Sequence, residues 1–499
     1  MLNQESIWIK QGKKTNYQTL NQDIGCDVLI VGGGICGLTS AYYLRDQIRN
    51  IALIEADTLA YGASGRSTGK VTSQHGCIYS KLLKKHGKEK ARAYYDANEE
   101  AIASIRTIVE EHELDCGLCE KDSVVYCMSV DKTKEITDEM NALDELKIPY
   151  EIIREGELAN VRLGIRFKHQ AAFDPYRYCK GLAKVLKDSG VHIYEHSPAA
   201  TFEDHCVIVN NHKITYKQMI LATQFPLTDP MHKYAVCMSP YQSALAAYDK
   251  AEPLKDQFIS VDEPTRTLRT FNTENDTLLL AGGFEHRSGI DTVKMMRELM
   301  HCLDLQFHQE PLCMWTSQDY VSADYLPLIG ELSADIYFAS AFNKWGNTNG
   351  TTAGKLLTAL ILKEKSIYAD LFDPTRSTLF MNTKIINENL KTANEFITSK
   401  LMQTKQLLPE KDEACVTKLG THPYGLYRSL DDEIYIVDLI CPHMGCTLHF
   451  NNIEKTWDCP CHGSRFNIDG TIIKAPAVSS LSCEKIHWKT FTDSGNTIK

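Results

Sequence analysis

The 499-residue sequence has no excess of positive charge, no internal repeat and no low-complexity segment. Its formal net charge is −10, so it lacks the basic footprint that binds nucleic acid, and we expect no nucleic-acid partner. The first residues, MLNQESIWIKQGKKTNYQ, contain no apolar segment followed by a small-residue cleavage site, which argues against a secretion signal. These absences favour a globular cytoplasmic protein, or one held peripherally at a membrane.

A hydrophobic run suited to crossing a bilayer is also missing. Residues 26–44, CDVLIVGGGICGLTSAYYL, are about long enough to span one. They contain four glycines and an aspartate, however, and their pattern is that of a strand, a turn and a helix. We therefore expect no integral membrane anchor.

The cysteines do not form the framework of a secreted protein. There are 17 of them, an odd number spread over the whole chain, which is typical of buried thiols in a reducing cytosol. Cys116 and Cys119 form a C-x-x-C pair, but no second pair lies nearby in the sequence to complete a zinc site. We interpret these two residues as partly buried thiols.

The N-terminal region contains a βαβ pattern. The apolar run CDVLIV (26–31) predicts a buried parallel strand, LTSAYYLRDQ a helix, and NIALIEAD a second strand. Gly32, Gly34 and Gly37 form a G-x-G-x-x-G between the first strand and the helix, and Glu55 ends the second strand. This context is the dinucleotide-binding fingerprint, with a pyrophosphate at the helix N-terminus and the ribose hydroxyls on Glu55.

Three further segments point to a family. YGASGRSTGKVTSQHG (61–76), DYLPLIG (324–330) and AFNKWGNTNGTTAGKLL (341–357), taken with the fingerprint, resemble the D-amino-acid oxidase and glycine oxidase superfamily of FAD-dependent oxidoreductases over roughly residues 24–370. The resemblance implies an α/β FAD-binding domain of the Rossmann-like, glutathione-reductase type, with an α+β substrate domain. It also implies that FAD is the cofactor and that it is bound by Gly62, Ser64, Gly65, Arg66, Trp345, Gly346, Asn347 and Thr348.

The sequence departs from that family around the substrate. The family's usual G-A-S-G-R-N-x-G has Ser67 and Thr68 here, and the arginine that often clamps a substrate carboxylate has no clear counterpart. Arg287 is a candidate for that role, with a surface salt bridge as the alternative. The resemblance also implies that residues 62–69, the flavin segment, lie near the flavin. His75 and Lys70 follow this segment and are candidates for catalytic groups. The sequence thus supports the FAD site better than it supports any one substrate.

Two short segments near the C-terminus are rich in metal ligands: CPHMGC (441–446) and CPCHGS (459–464). Zinc would need four ligands of these six. Two thiolates and two imidazoles would satisfy zinc but leave Cys446 and Cys461 unexplained.

The same segments resemble the cluster-binding loops of the Rieske proteins of cytochrome bc complexes, across residues 410–490. The resemblance implies a [2Fe–2S] cluster whose two irons are held by thiolates and by imidazoles respectively. Rieske oxygenases also need a mononuclear iron domain with two histidines and a carboxylate, and we find none in the sequence. The implied ligands are Cys441, His443, Cys459 and His462, and the implied disulfide joins Cys446 to Cys461.

Residues beside the cluster are expected to adjust its potential. Ser464 matches the Rieske serine whose hydroxyl bonds a bridging sulfide, and Pro476, in KAPAVSS, matches the loop that covers the cluster. Phe466 stands where respiratory Rieske proteins have a tyrosine that bonds a ligand thiolate. The resemblance therefore implies a lower potential than that of the respiratory proteins.

The chain is too long for one hydrophobic core, so we expect it to form several folding units. We expect an FAD-dependent oxidoreductase over residues 1–375, a helical linker over 376–409, and an all-β Rieske domain over 410–499. Within the first region, the FAD-binding parts are predicted at about 24–80, 155–225 and 320–370, and the substrate parts at about 81–154 and 226–319.

The combination of an FAD-dependent oxidoreductase and a Rieske domain in one chain predicts a dehydrogenase-like enzyme. A small amine or amino acid would reduce FAD, and electrons would leave singly through the Rieske cluster to an external acceptor, either a protein or a quinone. Two alternatives remain open at this point. One is a redox relay or sensor without a small-molecule substrate, and the other is an amine oxidase with a non-catalytic Rieske domain.

Overall fold

The computed structural model describes residues 5–229, 234, 237–249, 252–273, 276–289, 292–307, 310–379, 408–420, 422–452 and 454–493. It divides into two compact units. The first comprises Met1–Pro226, Ser243–Glu285 and Glu298–Met381, and the second comprises Leu227–Gln242, His286–Arg297 and Asn382–Lys499. None of the helices in the described ranges combines the length and the hydrophobicity that a bilayer crossing needs.

Ten α-helices are present in the described ranges. Their bounds are α1 (Ile7–Gln11), α2 (Ile35–Leu44), α3 (Ala63–Arg66), α4 (Tyr79–Glu111), α5 (Thr133–Leu146), α6 (Pro175–Asp188), α7 (Thr292–Phe307), α8 (Gly346–Ile361), α9 (Ala369–Phe372) and α10 (Trp488–Asp493).

The strands fall into three groups along the chain. The first group is β1 (Ile24–Val31), β2 (Ile51–Ile54), β3 (Lys70–Val71), β4 (Cys119–Glu120), β5 (Ser123–Cys127), β6 (Glu151–Ile153), β7 (Leu163–Phe167), β8 (Ala171–Ala172) and β9 (His192–Tyr194). The second is β10 (Ala199–Glu203), β11 (Cys206–Val209), β12 (His212–Gln224), β13 (Met238–Tyr248), β14 (Gln257–Ser260), β15 (Arg266–Asn272), β16 (Thr277–Arg287), β17 (Cys313–Ser322), β18 (Leu328–Ser333) and β19 (Ile336–Ser340). The third is β20 (Glu413–Leu419), β21 (His422–Arg428), β22 (Glu433–Asp438), β23 (His449–Asn451), β24 (Thr456–Asp458), β25 (Arg465–Asn467), β26 (Ile472–Lys474) and β27 (Cys483–His487).

The first unit contains the predicted nucleotide-binding sheet. Its strands follow the order β10-β11-β12-β1-β2-β9, with β19 on β12 and β18 on β19. β1 is parallel to both β12 and β2, with Ile30 opposite Ile220 and Leu53. These side chains are almost fully buried, as expected for a parallel sheet that is covered on both faces. The α/β fold class is confirmed.

A second sheet of eight strands has the order β17-β13-β16-β15-β14-β5-β7-β6. Its strands come from widely separated parts of the chain, and β5 lies parallel to β14 although residues 128–256 separate them. A sheet assembled this way is consistent with a discontinuous substrate domain. The boundaries assigned to the FAD-binding and substrate parts stay a prediction, and the linker over 376–409 lies mostly outside the described residues.

The C-terminal part of the second unit is built from two four-stranded antiparallel sheets, β20-β21-β22-β27 and β23-β24-β25-β26. Trp457 is fully buried in their core, and the indole lies so close to Gly425 that a Cβ at that glycine would be 2.3 Å from it. Phe466 and the two cysteines Cys441 and Cys459 belong to the same core. The prediction of an all-β C-terminal domain is confirmed.

Candidate functional site

The glycine fingerprint connects β1 to α2 in a tight turn. Gly32 has φ +112°, and a Cβ at Gly37 would lie 2.0 Å from the carbonyl oxygen of Gly32. These positions require glycine because a side chain would collide with the backbone. The carboxylate of Glu55, at the end of β2, accepts the N–H of Gly33 at 2.8 Å, and the Ser64 hydroxyl accepts the N–H of Ile35 at 3.0 Å. The residues predicted to bind the pyrophosphate and the ribose therefore lie close together.

The flavin segment, residues 62–69, accepts hydrogen bonds from distant side chains through its backbone carbonyl groups. The Ser6 hydroxyl donates to the carbonyl of Gly65 at 2.5 Å, and the Trp8 indole donates to that of Ser67 at 2.9 Å. The Trp315 indole donates to the carbonyl of Arg66 at 2.9 Å. Ser6 and Trp8 belong to the start of α1, which our sequence reasoning missed. Its one local signal is Ser6, an N-cap that accepts from the N–H of Ile9.

Gly62 and Gly69 lie at the two ends of this segment. Gly62 precedes the short helix α3 as its N-cap, and a Cβ there would meet open space. Gly69 has φ +69°, and a Cβ would lie 2.3 Å from the carbonyl oxygen of Phe173. The segment is thus tightly packed at its end and open at its start.

The N-terminus of α8 meets the continuation of the flavin segment. The Asn347 amide donates to the carbonyl of Lys70 at 2.8 Å, and the Thr348 hydroxyl donates to that of Thr72 at 3.2 Å. Trp345 precedes Gly346, the first residue of α8. The structure therefore brings two predicted FAD-binding residues, Asn347 and Thr348, against residues 70–72, which directly follow the flavin segment.

His75 is buried and hydrogen-bonded through both ring nitrogens. Nε2 lies 2.7 Å from the carbonyl oxygen of Thr72, which can only accept, so Nε2 carries a proton. Nδ1 lies 2.6 Å from the hydroxyl of Tyr94 on α4. Burial lowers the pKa of His75 to about 3, and the imidazole is neutral at physiological pH. Tyr94 was missed by sequence reasoning because nothing near it in sequence marks its role.

Lys70 and Arg269 are two buried basic side chains beside the flavin segment. Lys70 is 5 % exposed, and its ammonium donates to the carbonyl of Phe258 at 2.5 Å. Burial, followed by the charge of Arg269, lowers the pKa of Lys70 to about 7. The Arg269 guanidinium donates to the carbonyls of Phe173 and Gly69 at 3.0 and 3.4 Å. The hydrogen-bond partners of both side chains are backbone carbonyl groups rather than carboxylates.

Arg287, the candidate carboxylate clamp, is the last residue of β16 and lies in the second unit. It is half-buried. Its role, like those of Lys70 and His75, stays a prediction.

The metal-ligand residues occupy two loops of the second unit. In the first loop the N–H of Cys441 donates to the carbonyl of Cys446 at 2.8 Å. In the second, the N–H of Cys459 donates to the carbonyl of Ser464 at 2.8 Å. The predicted disulfide between Cys446 and Cys461 is present and joins the loops.

The four implied ligands form two adjacent pairs. The sulfurs of Cys441 and Cys459 share a hydrogen bond, which lowers the pKa of the Cys441 thiol. The rings of His443 and His462 have centroids 5.0 Å apart. Both cysteines are buried, whereas both histidines are half-buried. A pair of thiols beside a pair of imidazoles fits the donor set of a Rieske cluster.

The residues predicted to adjust the cluster are also near the ligands. The buried hydroxyl of Ser464 interacts with the sulfur of Cys441 and accepts the N–H of Ala477 at 3.0 Å. Ala477 follows Pro476, so this bond ties the proline-containing segment to the second ligand loop. Phe466 is fully buried in the same core.

Both the region of the predicted FAD site and the region of the predicted iron ligands match known protein families. A model of the FAD dependent oxidoreductase family matches residues 27–360, and a model of the Rieske [2Fe-2S] domain matches residues 398–487. The chain belongs to the FAD-dependent oxidoreductase family. It carries a Rieske domain at its C-terminus.

Relatives of this oxidoreductase differ in how much of the chain they share. YhfW of Bacillus subtilis (strain 168), provisionally named a Rieske 2Fe-2S iron-sulfur protein, is 32% identical and covers 96% of this chain and 97% of its own length. Gamma-glutamylputrescine oxidoreductase of Escherichia coli (strain K12) is 24% identical over 70% of this chain and 86% of its own. Glycine oxidase from Geobacillus kaustophilus shares the fold, with a TM-score of 0.60 and 16% identity over 70% of this chain and 99% of its own.

These findings settle the coarse identity of the oxidoreductase. It is an FAD-dependent oxidoreductase that also binds a [2Fe–2S] cluster, as the sequence predicted. Zinc is not needed to explain the C-terminal ligands. The individual FAD and iron ligands stay predictions, which the hydrogen bonds and ring contacts around these residues support.

Proposed function

We propose that this oxidoreductase is a dehydrogenase for a small amine or amino acid, and that electrons leave it singly through the Rieske cluster to an external acceptor. The observation that carries the proposal is the exposure of the cluster ligands. The two histidines are half-buried, and Met444 beside them is 44% exposed, whereas the two cysteines are buried. An external protein or quinone can therefore approach the histidine side.

The relatives support the class of substrate. One is named for the oxidation of gamma-glutamylputrescine, and one is a glycine oxidase. Both names denote compounds with a C–N bond. We infer that the substrate of this chain is a small amine or amino acid.

The two cofactors divide the chemistry. When bound, FAD takes two electrons from the substrate and the [2Fe–2S] cluster carries one at a time. Gly32, Gly34, Gly37 and Glu55 would hold the nucleotide end of FAD, while the flavin segment and Trp345–Thr348 would surround its other end. Cys441, Cys459, His443 and His462 would hold the two irons.

Lys70 is the residue we infer to receive a proton. An amine substrate is mostly protonated near neutral pH and must lose that proton before its C–N bond is oxidised. Lys70 can be neutral near pH 7 because burial lowers its pKa to about 7. His75 is less suited to the task, since burial lowers its pKa to about 3, so it is a weak base, and both of its ring nitrogens are hydrogen-bonded.

An anaerobic titration tests the proposal. Purified protein is titrated with candidate amines and amino acids while the absorption bands of flavin and cluster are recorded together. We expect a true substrate to bleach the flavin and then the cluster. Flavin bleaching without cluster bleaching would refute internal transfer, and absence of bleaching by every donor would favour a redox relay.

A matched variant tests the role of the cluster. His443→Ala removes one iron ligand and leaves the first unit unchanged. We expect substrate to bleach the flavin as before, while reduction of an external acceptor is lost. If acceptor reduction survives in this variant, the Rieske domain is not the exit for electrons.

A further inference from the structure

Gly289 contacts the second ligand loop of the Rieske domain. It follows β16, belongs to the second unit as that loop does, and has φ +72°. A Cβ at Gly289 would lie 3.0 Å from the backbone nitrogen of Pro460 and 3.1 Å from the carbonyl oxygen of Asp458. Asp458 and Pro460 flank Cys459, one of the two implied thiolate ligands. The backbone of Gly289 is thus packed on the two peptide groups that hold an iron ligand.

Two independent constraints make glycine the residue that fits here. A positive φ is unfavourable for residues with a side chain, and a Cβ at 3.0–3.1 Å would press on backbone atoms that have little freedom to move. Gly420, with φ +63°, shows the first constraint alone, because a Cβ there would meet nothing within 4 Å. Gly445 in the first ligand loop likewise has open space around it. Close contact is therefore a property of Gly289 and the second loop.

The turn that carries Gly289 is itself fixed. The N–H of Ser288 donates to the carbonyl of Pro240 on β13 at 3.1 Å. Ser288 is completely buried and His286 is 6% exposed. The ends of β13 and β16 thus provide a firm base for the contact.

We propose that the turn formed by residues 287–289, which we call the seat, holds the second ligand loop in place, and that electron transfer from flavin to cluster depends on this contact. The proposal rests on the proposed function. Each substrate molecule oxidised releases two electrons, so two single-electron transfers are needed per turnover, each reducing the cluster by one electron before the external acceptor reoxidises it. The contact lies at the buried thiolate ligand, which leaves the half-buried histidines for the external acceptor.

The first test measures how firmly the seat holds the second ligand loop, and it involves no electron transfer. Hydrogen–deuterium exchange of residues 459–464 is compared in the full-length wild type, Gly289→Ala and Gly289→Val. We expect the valine to raise exchange in this loop at least tenfold and the alanine less. Gly420→Ala is the matched control, since it has the same backbone strain without the contact, and should leave the loop unchanged. Equal exchange in wild type and Gly289→Val would overturn the seat.

The second test measures the transfer itself. The flavin is reduced photochemically under anaerobic conditions, so that no substrate is needed, and the rate of cluster bleaching is followed. We expect at least a tenfold slower rate in Gly289→Val, with unchanged iron content, cluster spectrum and FAD content. Gly289→Ala replaces it if the valine variant loses FAD. An unchanged rate in a variant with raised exchange would refute the dependence of transfer on the seat. A wild type that shows no bleaching would refute the proposed function, and the exchange experiment would still decide whether the seat exists.

Discussion

The imidazole of His75 stacks on the indole of Trp345, with ring centroids 4.7 Å apart and planes 16° apart. Trp345 precedes α8, and His75 also lies 3.1 Å from the hydroxyl of Thr348 in the first turn of that helix. The histidine therefore joins the stretch that follows the flavin segment to the N-terminus of α8. Its neutral state and its occupied nitrogens favour a positioning role over proton transfer.

We expect His75→Ala to weaken FAD binding about tenfold, because one or two hydrogen bonds and a ring contact are lost. The pH profile of activity should not change, since the pKa of His75 is lowered to about 3. Fluorescence titration of the apoprotein with FAD measures the affinity. Tyr94→Phe, which removes one hydrogen bond to His75, should have a smaller effect. Normal FAD affinity with lost activity and a shifted pH profile would instead make His75 a catalytic residue.

The lowered pKa of Lys70 predicts that the free energy of unfolding depends on pH. An unfolded lysine has a pKa of about 10.4, whereas burial and Arg269 lower the pKa of Lys70 to about 7 in the folded protein. Between these values the unfolded state binds more protons, so the free energy of unfolding rises with pH, by at most about 1.4 kcal/mol per pH unit. Below about pH 7 both states bind the proton and this contribution is constant.

Lys70→Met should remove this pH dependence. We expect the free energy of unfolding, measured in urea at pH 7 and pH 9, to rise more in the wild type than in the variant. Lys134→Met is the control, because the Lys134 side chain is 81% exposed. Equal changes in wild type and Lys70→Met would show that Lys70 keeps an ordinary pKa in the folded protein.

Several parts of this molecule could be predicted because their signals are local. The glycine fingerprint and Glu55 lie within about thirty residues, as one βαβ unit requires. The cysteines and histidines of the Rieske domain lie in two six-residue segments. The pairing of Cys446 with Cys461 came from the family resemblance, since spacing alone left zinc possible.

The contacts that sequence reasoning missed join distant residues. Ser6 and Trp8 bond the flavin segment from 59 positions away, and Arg269 reaches Gly69 across 200 positions. An isolated arginine in a strand carries no periodicity or motif, so only the folded chain reveals its burial. The same holds for Gly289, whose special surroundings come from residues near 460.

The disulfide between Cys446 and Cys461 predicts a contrast between structural and ligand cysteines. The bond closes a loop with a sequence separation of 15, and a loop of that length corresponds to about 3 kcal/mol of stabilisation. We expect the double variant Cys446→Ala/Cys461→Ala to assemble a cluster that is lost at a lower temperature. Cys441→Ala should contain no Rieske cluster.

Iron analysis and thermal scans of the visible circular dichroism check this contrast. Cys483→Ala is the control, because Cys483 is a free, half-buried cysteine in the same domain. If the double variant melted with the wild type, the disulfide would contribute nothing measurable to the cluster domain. A Rieske spectrum in Cys441→Ala would remove that residue from the ligand set.

Replacing Phe466 by a hydrogen-bond donor is predicted to change the reduction potential of the cluster in one direction. It is fully buried in the core that contains Cys441 and Cys459, and it cannot donate a hydrogen bond. Reduction adds negative charge to the cluster and its thiolates, so a donor near a ligand sulfur stabilises the reduced state. Phe466→Tyr should therefore raise the potential, and a hydrogen bond of about 1 kcal/mol corresponds to about 40 mV for a one-electron couple.

Redox titration of the Rieske absorption in the full-length protein measures this shift. Phe450→Tyr is the control: Phe450 contacts Trp457, with ring centroids 4.7 Å apart, and is only half-buried. The new hydroxyl at position 466 must also fit into a closed core, so overpacking should lower the melting temperature of this variant. A lower or equal potential, in a variant with full iron content, would mean that residue 466 does not direct a donor toward a ligand sulfur. The potential would then depend on other groups around the cluster, of which the hydroxyl of Ser464 already interacts with Cys441.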